Sequence, residues 1–471
     1  MTALTELAEY VYAGTQRLAK EHDGRPEFDT PFAPTTAIFG ALQRLNMELL
    51  GSGPYEQAVE AFAAEPNLAH LLPVPGEPDP YITYIGGGYS ESLPAMIRSL
   101  LMSAGQRMYY QRQEETEAAF VRTVLENYEE LLRAARGEQV RVYYVVGYTG
   151  IKLDDGAQVQ TPWGTLRGAP PKLAIGGLSP TTAMLTAPRL MSIGISREPS
   201  PSIPEPDALW VTQVEQTRQV LPLAFAFSTL DSDRCIPVVT FETLILPLTS
   251  SFSYSMPGLP GMLPPQRQVA PSQQELVQAE DWSRRLERDH SDSLQVAERR
   301  LVSAVPQRVD KADALIDAVI GWESMVGTRT ESVFRITAAL ARLLAPRPEE
   351  RPELRRQFQK IYDTRSRVVH GDLVDAAEIA SAAEKAIDTG LRTLRALYAR
   401  GGDWLTAKSG ERADRLILED LGCLLPCQTV PEGAGLGQGS RLAWQCISGP
   451  VGDARCLGCS YEGPLSAVAV A

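Results

Sequence analysis

The 471-residue sequence predicts an α+β chain of several domains. These are a helical N-terminal region over 1–138, a β-rich domain over 139–250, a Pro/Gly-rich linker over 251–272 and an all-α bundle over 273–402. Three observations carry this division. Apolar residues recur at steps of three and four before 138 and again after 273. Between those regions they gather in β-branched and aromatic runs separated by Gly, Pro and Asp. Pro257, Pro260, Pro264, Pro265 and Pro271, with glycines and serines between them, mark the joint. At about 100–200 residues per domain, the length fits two to four domains.

The clearest N-terminal helix spans 113–136. It places Phe120, Val121, Val124, Leu125, Tyr128, Leu131, Leu132 and Ala135 on one face, with Gly137 to stop it. The run Gly86-Gly-Gly-Tyr-Ser90 is glycine-rich like a phosphate loop but lacks the lysine and its spacing, so it reads as a turn. Five runs then predict strands: Val140–Val146, Leu173–Ile175, Leu209–Thr212, Leu223–Phe227 and Pro237–Leu246. This middle region holds no histidine and only Cys235, and it presents no catalytic constellation. Ser272-Gln-Gln-Glu275 is a capping-box pattern that opens a helical region. Five helical stretches follow over 273–304, 310–326, 330–345, 352–370 and 373–400, with Asp372 placed to cap the last and Gly401-Gly402 to close the bundle. No internal repeat is visible.

Hydrophobic content of 44% and charged content of 22% are those of an ordinary globular chain. No apolar run approaches the roughly 20 residues of a membrane span. The acidic, amphipathic start Met1-Thr-Ala-Leu-Thr-Glu-Leu-Ala-Glu9 is unlike a secretory signal, so the expected location is cytoplasmic. A net charge of −13, from 58 acidic and 45 basic residues, argues against a sequence-blind nucleic-acid coat. It leaves room for a local basic cleft, and Arg347, Arg351, Arg355, Arg356, Lys360, Arg365 and Arg367 cluster in one segment. Taken singly, Arg355, Arg356 and Lys360 read as a solvated helix face.

Five of the six cysteines lie beyond 420: Cys423, Cys427, Cys446, Cys456 and Cys459. Cys456-Leu-Gly-Cys459 has zinc-knuckle spacing, and Cys423 with Cys427 would be the opposing pair of a tetrahedral thiolate site. The intervening spacing fits no familiar ribbon and Cys446 is left over. The tail over 403–471 therefore has two readings, a structural zinc site or a disordered segment.

The segment Ile361-Tyr-Asp-Thr-Arg-Ser-Arg-Val-Val-His-Gly371 is the most informative in the chain. Only four histidines occur, and His370 lies five residues after Arg365 at the end of a helical pattern. A guanidinium that grips phosphate and an imidazole that moves a proton suffice for RNA cleavage without a metal. Leu354, Phe358, Ile361, Tyr362 and Val369 form an apolar stripe, and Arg365 projects from it, eleven residues after Leu354. His370 then sits roughly 140° around the helix from Arg365, at about 100° per residue. One helix does not converge both groups on one phosphate. Either the last turn unwinds at Gly371, or a second copy of the helix completes the site.

Glu323 is the second unusual residue. It follows Ile316, Val319 and Ile320 on what reads as a buried face, where a carboxylate needs a partner. Arg365 across the bundle is one candidate. Arg335, four residues after Glu331, is the other, and it has a surface i,i+4 reading of its own.

Residues 290–402 resemble the Apea-like group of the HEPN superfamily. The resemblance rests on Arg365-Ser-Arg-Val-Val-His370, on Asp313–Val326 as that group's second helix and on Glu331–Leu344 as its third. It implies a helical bundle and a metal-independent endoribonuclease with Arg365 and His370 as catalytic residues. Attack by the ribose 2′-hydroxyl would leave a 2′,3′-cyclic phosphate. It further implies RNA and a second copy of the chain as partners, no catalytic cofactor, and a bacterial phage-defence or toxin setting. An N-terminal region before the bundle would sense an unknown trigger. Active members often carry Asn, Asp or His directly after the arginine; here Ser366 stands there. The alternative is a catalytically silent module that dimerises or binds RNA.

Overall fold

The computed structural model describes residues 1–21, 51–71, 79–84, 87–90, 92–111, 114, 116–154, 156–169, 181–196, 208–247, 253–255, 268–304, 310–327 and 332–418. The chain is mixed helical and β, with a sheet in its middle and helices at its C-terminal end. It divides into two compact units, Met1–Arg288 and Asp289–Ala471. The cysteine tail from 423 and the expected strand Leu173–Ile175 lie outside the described residues. Among the described residues, no helix is long and apolar enough to cross a membrane.

In the first unit, α1 (Thr2–Glu21), α2 (Gly53–Ala63), α3 (Leu93–Gln111) and α4 (Glu117–Ala135) pack through Leu4, Leu7, Phe62, Leu100, Phe120 and Leu131. The apolar face read for α4 is buried at Phe120, Val124, Tyr128 and Leu131. Thr116 caps its first turn by accepting from the Ala119 N–H, and Gly137 ends it at φ 74°. The N-terminal region is not wholly helical. Strands β1 (Tyr81–Tyr84) and β2 (Gly87–Ser90) pair antiparallel, so Gly87–Ser90 of the run read as a turn is strand.

The chain continues through β3 (Gln139–Thr149), β4 (Gln158–Thr161), β5 (Gly164–Gly168), β6 (Ala183–Ser192), β7 (Gly194–Ser196), β8 (Val238–Ile245) and β9 (Ser253–Ser255). Strand β7 joins β1 and β2 in a three-stranded sheet. The others form an antiparallel six-stranded sheet in the order β4-β5-β6-β3-β8-β9. The expected strands Val140–Val146 and Pro237–Leu246 correspond to β3 and β8, which lie side by side within it. Part of the expected linker is structured: Ser253–Ser255 pairs with β8, and Val269 bridges to Ile151.

Two expected strands are helical. Leu209–Thr212 and Leu223–Phe227 both belong to α5 (Ala208–Ser228). Leu221, Leu223, Ala224, Phe225, Ala226 and Phe227 are all buried. A helix apolar all round shows no 3.6-residue period, so its run cannot be told from a core strand by pattern. Tyr148 Oη donates to the Thr217 carbonyl at 3.0 Å, and Arg218 pairs with the buried Glu242 of β8. On its other side α5 meets α6 (Gln273–Arg288), with the Phe227 and Trp282 rings 5.1 Å apart. The capping box forms as read: Ser272 N donates to Glu275 Oε2 at 2.7 Å, and Glu275 N to Ser272 Oγ at 3.3 Å. The helix it opens ends at Arg288 and belongs to the first unit, so the expected stretch 273–304 is two helices in two units.

The second unit is built on α7 (Gln295–Ala304), α8 (Lys311–Val326), α9 (Ser332–Leu344), α10 (Arg351–His370) and α11 (Ala376–Arg400). Trp322 of α8 is fully buried, donates to the Ala386 carbonyl at 2.9 Å and meets Phe358 of α10 edge-on at 5.7 Å. A Cβ at Gly390 on α11 would force the Leu301 side chain of α7 to shift, so the glycine allows the two helices to meet as they do. Gly371 ends α10 at φ 81°, donating to the Val368 carbonyl while Asp372 N donates to that of Arg367. That double bond is a Schellman closure. It commits Asp372 to the end of α10, so Asp375 instead caps α11, accepting from Ala377 N at 2.8 Å and Glu378 N at 3.2 Å.

Nor does the unit close at Gly401-Gly402. Helices α12 (Asp403–Thr406) and α13 (Ser409–Leu418) follow and bury Leu405, Ala413 and Leu416. Arg412 of α13 is fully buried and donates to the carbonyls of Met325 and Ala407, each at 2.7 Å. A chain ended at Gly402 is expected to be less stable than one ended at Leu418. Leu405 and Leu416 alone represent roughly 3–6 kcal/mol, at about 1.5–3 kcal/mol per buried leucine. Urea unfolding of the two truncations checks this, and equal midpoints would show that α12 and α13 add nothing.

Candidate functional site

Helix α10 is regular from Arg351 through His370. Its buried residues are Phe358, Ile361 and Thr364, while Leu354, Tyr362 and Arg365 are half-buried and Val369 and His370 exposed. The apolar stripe thus ends one turn earlier than Val369. Arg365 lies at its margin, and His370 turns into solvent. The last turn does not unwind. The roughly 140° divergence of Arg365 and His370 therefore holds within one chain.

Glu323 contacts neither expected arginine. Ile316 and Ile320 share its half-buried strip, while the deep face of α8 is Leu315, Ala318, Trp322 and Met325. At that boundary Glu323 Oε1 accepts a hydrogen bond from Tyr362 Oη at 2.6 Å. Burial and the adjacent carboxylate push the Tyr362 phenol up to about 12, Arg365 opposing in part. Arg335 pairs instead with Asp414 of α13, a partner hidden by the expectation that the unit ended at 402.

The Arg365 guanidinium carbon is 5.9 Å from the centre of the Tyr362 ring, within cation–π range. Its Nε is buried without a hydrogen-bond partner, and among the described residues Arg365 makes no ion pair. Its basic neighbours are engaged differently. Arg347 pairs with Glu350, Arg356 with Glu353 at 2.6 Å and Arg367 with Glu378 at 3.0 Å. Arg351 donates to the Ala345 and Pro346 carbonyls, and Arg355 lies 4.3 Å from the Phe334 ring centre. Lys360 is exposed. The local positive charge is thus largely engaged, and Arg365 is the guanidinium with neither a carboxylate, a carbonyl nor a close ring among the described residues.

The end of α10 is tied to α11. Glu378 accepts from Thr364 Oγ1 at 3.1 Å and from Arg367 Nη1 at 3.0 Å. These contacts bracket Arg365 and hold Ser366, which is half-buried, and the turn that carries His370. Because Gly371 and Asp372 close the helix with their own N–H groups, His370 is not needed as a hydrogen-bonding cap. Its imidazole bonds to no described residue, and it sits where the helix dipole favours a cation.

The arrangement can bind an anion at Arg365 and exchange a proton at His370, on different sides of one helix. Among the described residues, no group of three or more His, Cys, Asp or Glu is placed to hold a metal. Cys423, Cys427, Cys456 and Cys459 lie outside them. Tyr362 and Glu378 were missed in the sequence as site residues. Tyr362 counted only as an apolar position, although its place three residues before Arg365 puts the two side by side. Comparison with known proteins gives no matching family model, no matching curated relative and no matching solved structure.

The Glu323–Tyr362 bond has a direct test. Replacing the carboxylate with an amide removes the negative charge that disfavours phenolate. Glu323→Gln is expected to bring Tyr362 ionisation below about 12 without restoring the ordinary phenol value, because burial, the larger cause, remains. Phenolate absorbance, taken as the difference from a Tyr362→Phe variant, reports it; an unmoved titration would show that the bond does not form.

Proposed function

We propose that this chain is a metal-independent endoribonuclease of the HEPN type that acts as a homodimer. The carrying observation is Arg365, a half-buried guanidinium without a carboxylate partner among the described residues, on a helix that stays regular to an exposed His370. A phosphodiester supplies the missing anion. The two groups diverge on one helix, so a second copy of α10 is needed to complete the constellation. Val369, half exposed, and Leu373, 98% exposed, flank His370 with apolar surface of the kind that association covers.

In this reading one His370 takes the proton of the ribose 2′-hydroxyl as its oxygen attacks the adjacent phosphorus. The P–O5′ bond breaks, and the second His370 protonates the departing 5′-oxygen. The products are a 2′,3′-cyclic phosphate and a 5′-hydroxyl. Arg365 stabilises the charge that builds on the phosphate oxygens. The contacts of Glu378 with Thr364 and Arg367 hold the helix end that carries Ser366, and Arg335 acts only through α13. The resemblance of 290–402 points to a bacterial phage-defence or toxin-like response, with the first unit sensing the trigger.

His370→Ala is expected to abolish cleavage while changing stability by only about 0.3–1 kcal/mol, the worth of a charge at a helix end. Arg365→Ala is expected to abolish it as well. It strands no carboxylate, because the partner of Glu323 is Tyr362. Cleavage is expected to persist in EDTA and to leave cyclic-phosphate ends, and light scattering is expected to show a dimer. Full activity in His370→Ala sinks the enzyme. A dimer that binds RNA without ever cutting it is the silent module instead.

A further inference from the structure

We infer that Tyr362 is a positioning residue whose hydroxyl occupies Glu323 and so leaves Arg365 free to take a phosphate. The role deepens the ribonuclease reading and rests on it for the RNA binding and cleavage measurements, but not for the unfolding measurement.

The geometry is that of a wedge. Glu323 on α8 and Arg365 on α10 are opposite charges, each half-buried, and both engage the side chain of Tyr362. Left together they would form the charge-assisted pair expected of a half-buried carboxylate and guanidinium. The phenol engages both. Its O–H is given to Glu323 at 2.6 Å, and its ring centre lies 5.9 Å from the Arg365 guanidinium. The carboxylate gains its donor without a cation. The guanidinium gains an aromatic neighbour that favours positive charge without neutralising it. A phosphate arriving at Arg365 then has no internal carboxylate to displace.

Tyrosine suits this task for a chemical reason. A phenol held protonated at neutral pH donates to the carboxylate and carries no charge of its own. Phenylalanine keeps the ring and the packing but cannot donate. Glu323 would then be a half-buried acceptor without its donor, and Arg365, which faces the same ring, the cation left to answer it. Tyr362→Phe therefore releases the carboxylate to compete with the phosphate, and removing that carboxylate as well should undo the harm.

The test uses the full chain and two readouts. In the first, binding of a 2′-O-methyl RNA oligonucleotide and single-turnover cleavage of its unmodified form are measured. Tyr362→Phe is expected to weaken binding at least tenfold and to flatten the log–log salt slope by roughly 0.7, the share of one phosphate contact on a single strand. The double variant Tyr362→Phe/Glu323→Gln is expected to regain most of that loss. A purely structural tyrosine predicts a double variant as impaired as the single one, and that result overturns the role.

The second readout needs no RNA. The coupling between Glu323→Gln and Arg365→Ala in urea unfolding is expected near zero with Tyr362 in place and stabilising in the Tyr362→Phe background. Equal coupling in both backgrounds overturns the wedge. If that coupling appears only in the Tyr362→Phe background while the wild-type chain never cuts RNA, the ribonuclease reading fails and the wedge stands. If the chain cuts RNA and the coupling is equal, the reverse holds.

Discussion

Arginine keeps its charge wherever the chain carries it, and the second unit is organised by that constraint. Arg412 is fully buried, yet it meets carbonyls rather than a carboxylate: Met325 and Ala407 at 2.7 Å and Trp404 at 3.3 Å, with Ser293 Oγ at 2.9 Å. Burial pulls it down to about 10, still well above neutral pH. The Met325 carbonyl lies in the last turn of α8 and that of Ala407 just beyond α12. These are helix ends whose unsatisfied C=O groups carry negative partial charge. One side chain thus closes two helices and fixes α13, which in turn supplies Asp414 to Arg335 of α9. Arg300 and Arg367 follow the commoner solution, on Asp317 and Glu378.

Set beside these, Arg365 is the exception. Every other arginine of the unit discussed above has taken carbonyls, a carboxylate or an aromatic face at close range. Arg365 has only a ring at the outer limit of cation–π distance, and its buried Nε, like that of Arg355, has no partner. Folding alone gives no reason to leave a guanidinium so poorly served, because an unpaired polar group away from water costs roughly 1–3 kcal/mol. The phosphate proposed above would supply the reason. The deficit is local, on a helix otherwise regular, capped and packed, and deficits of that kind gather where a protein binds or reacts.

What could be read from the sequence follows the same physics. Local signals were readable: the Ser272–Glu275 box, Gly371 as a left-handed stop and the periodic faces of α4 and α10 each depend on neighbours within a few residues. Signals set by tertiary surroundings were not. Helix α5 is buried on several sides, so its apolar run carried no period and read as strands. Asp372 and Asp375 are equally good caps in composition, and the Schellman closure at Gly371 decided between them. Glu323 was recognised as needing a partner, but charge pointed to an arginine where the structure uses a neutral phenol. Helices α12 and α13 were assigned to a tail because the double glycine is a strong stop signal. The buried side of α13 carries an arginine, which no hydrophobic pattern counts.

The divergence of Arg365 and His370 has a consequence for control. If the proposed dimer forms, a site split between two copies ties chemistry to association, and a single chain that folds completely is inactive. The net charge of −13 bears on this twice, because self-repulsion opposes both pairing of copies and approach of RNA. Screening limits that opposition, since charges farther apart than about 8 Å interact little at physiological ionic strength. Close-range groups then decide. Around α10, Glu350, Glu353 and Glu378 already match Arg347, Arg356 and Arg367. That leaves, among the described residues around α10, little broad positive field and one uncommitted guanidinium. For the proposed reaction, such a surface would attract RNA weakly from a distance and rely on Arg365 at close range, which favours a reaction that waits on assembly over one driven by encounter.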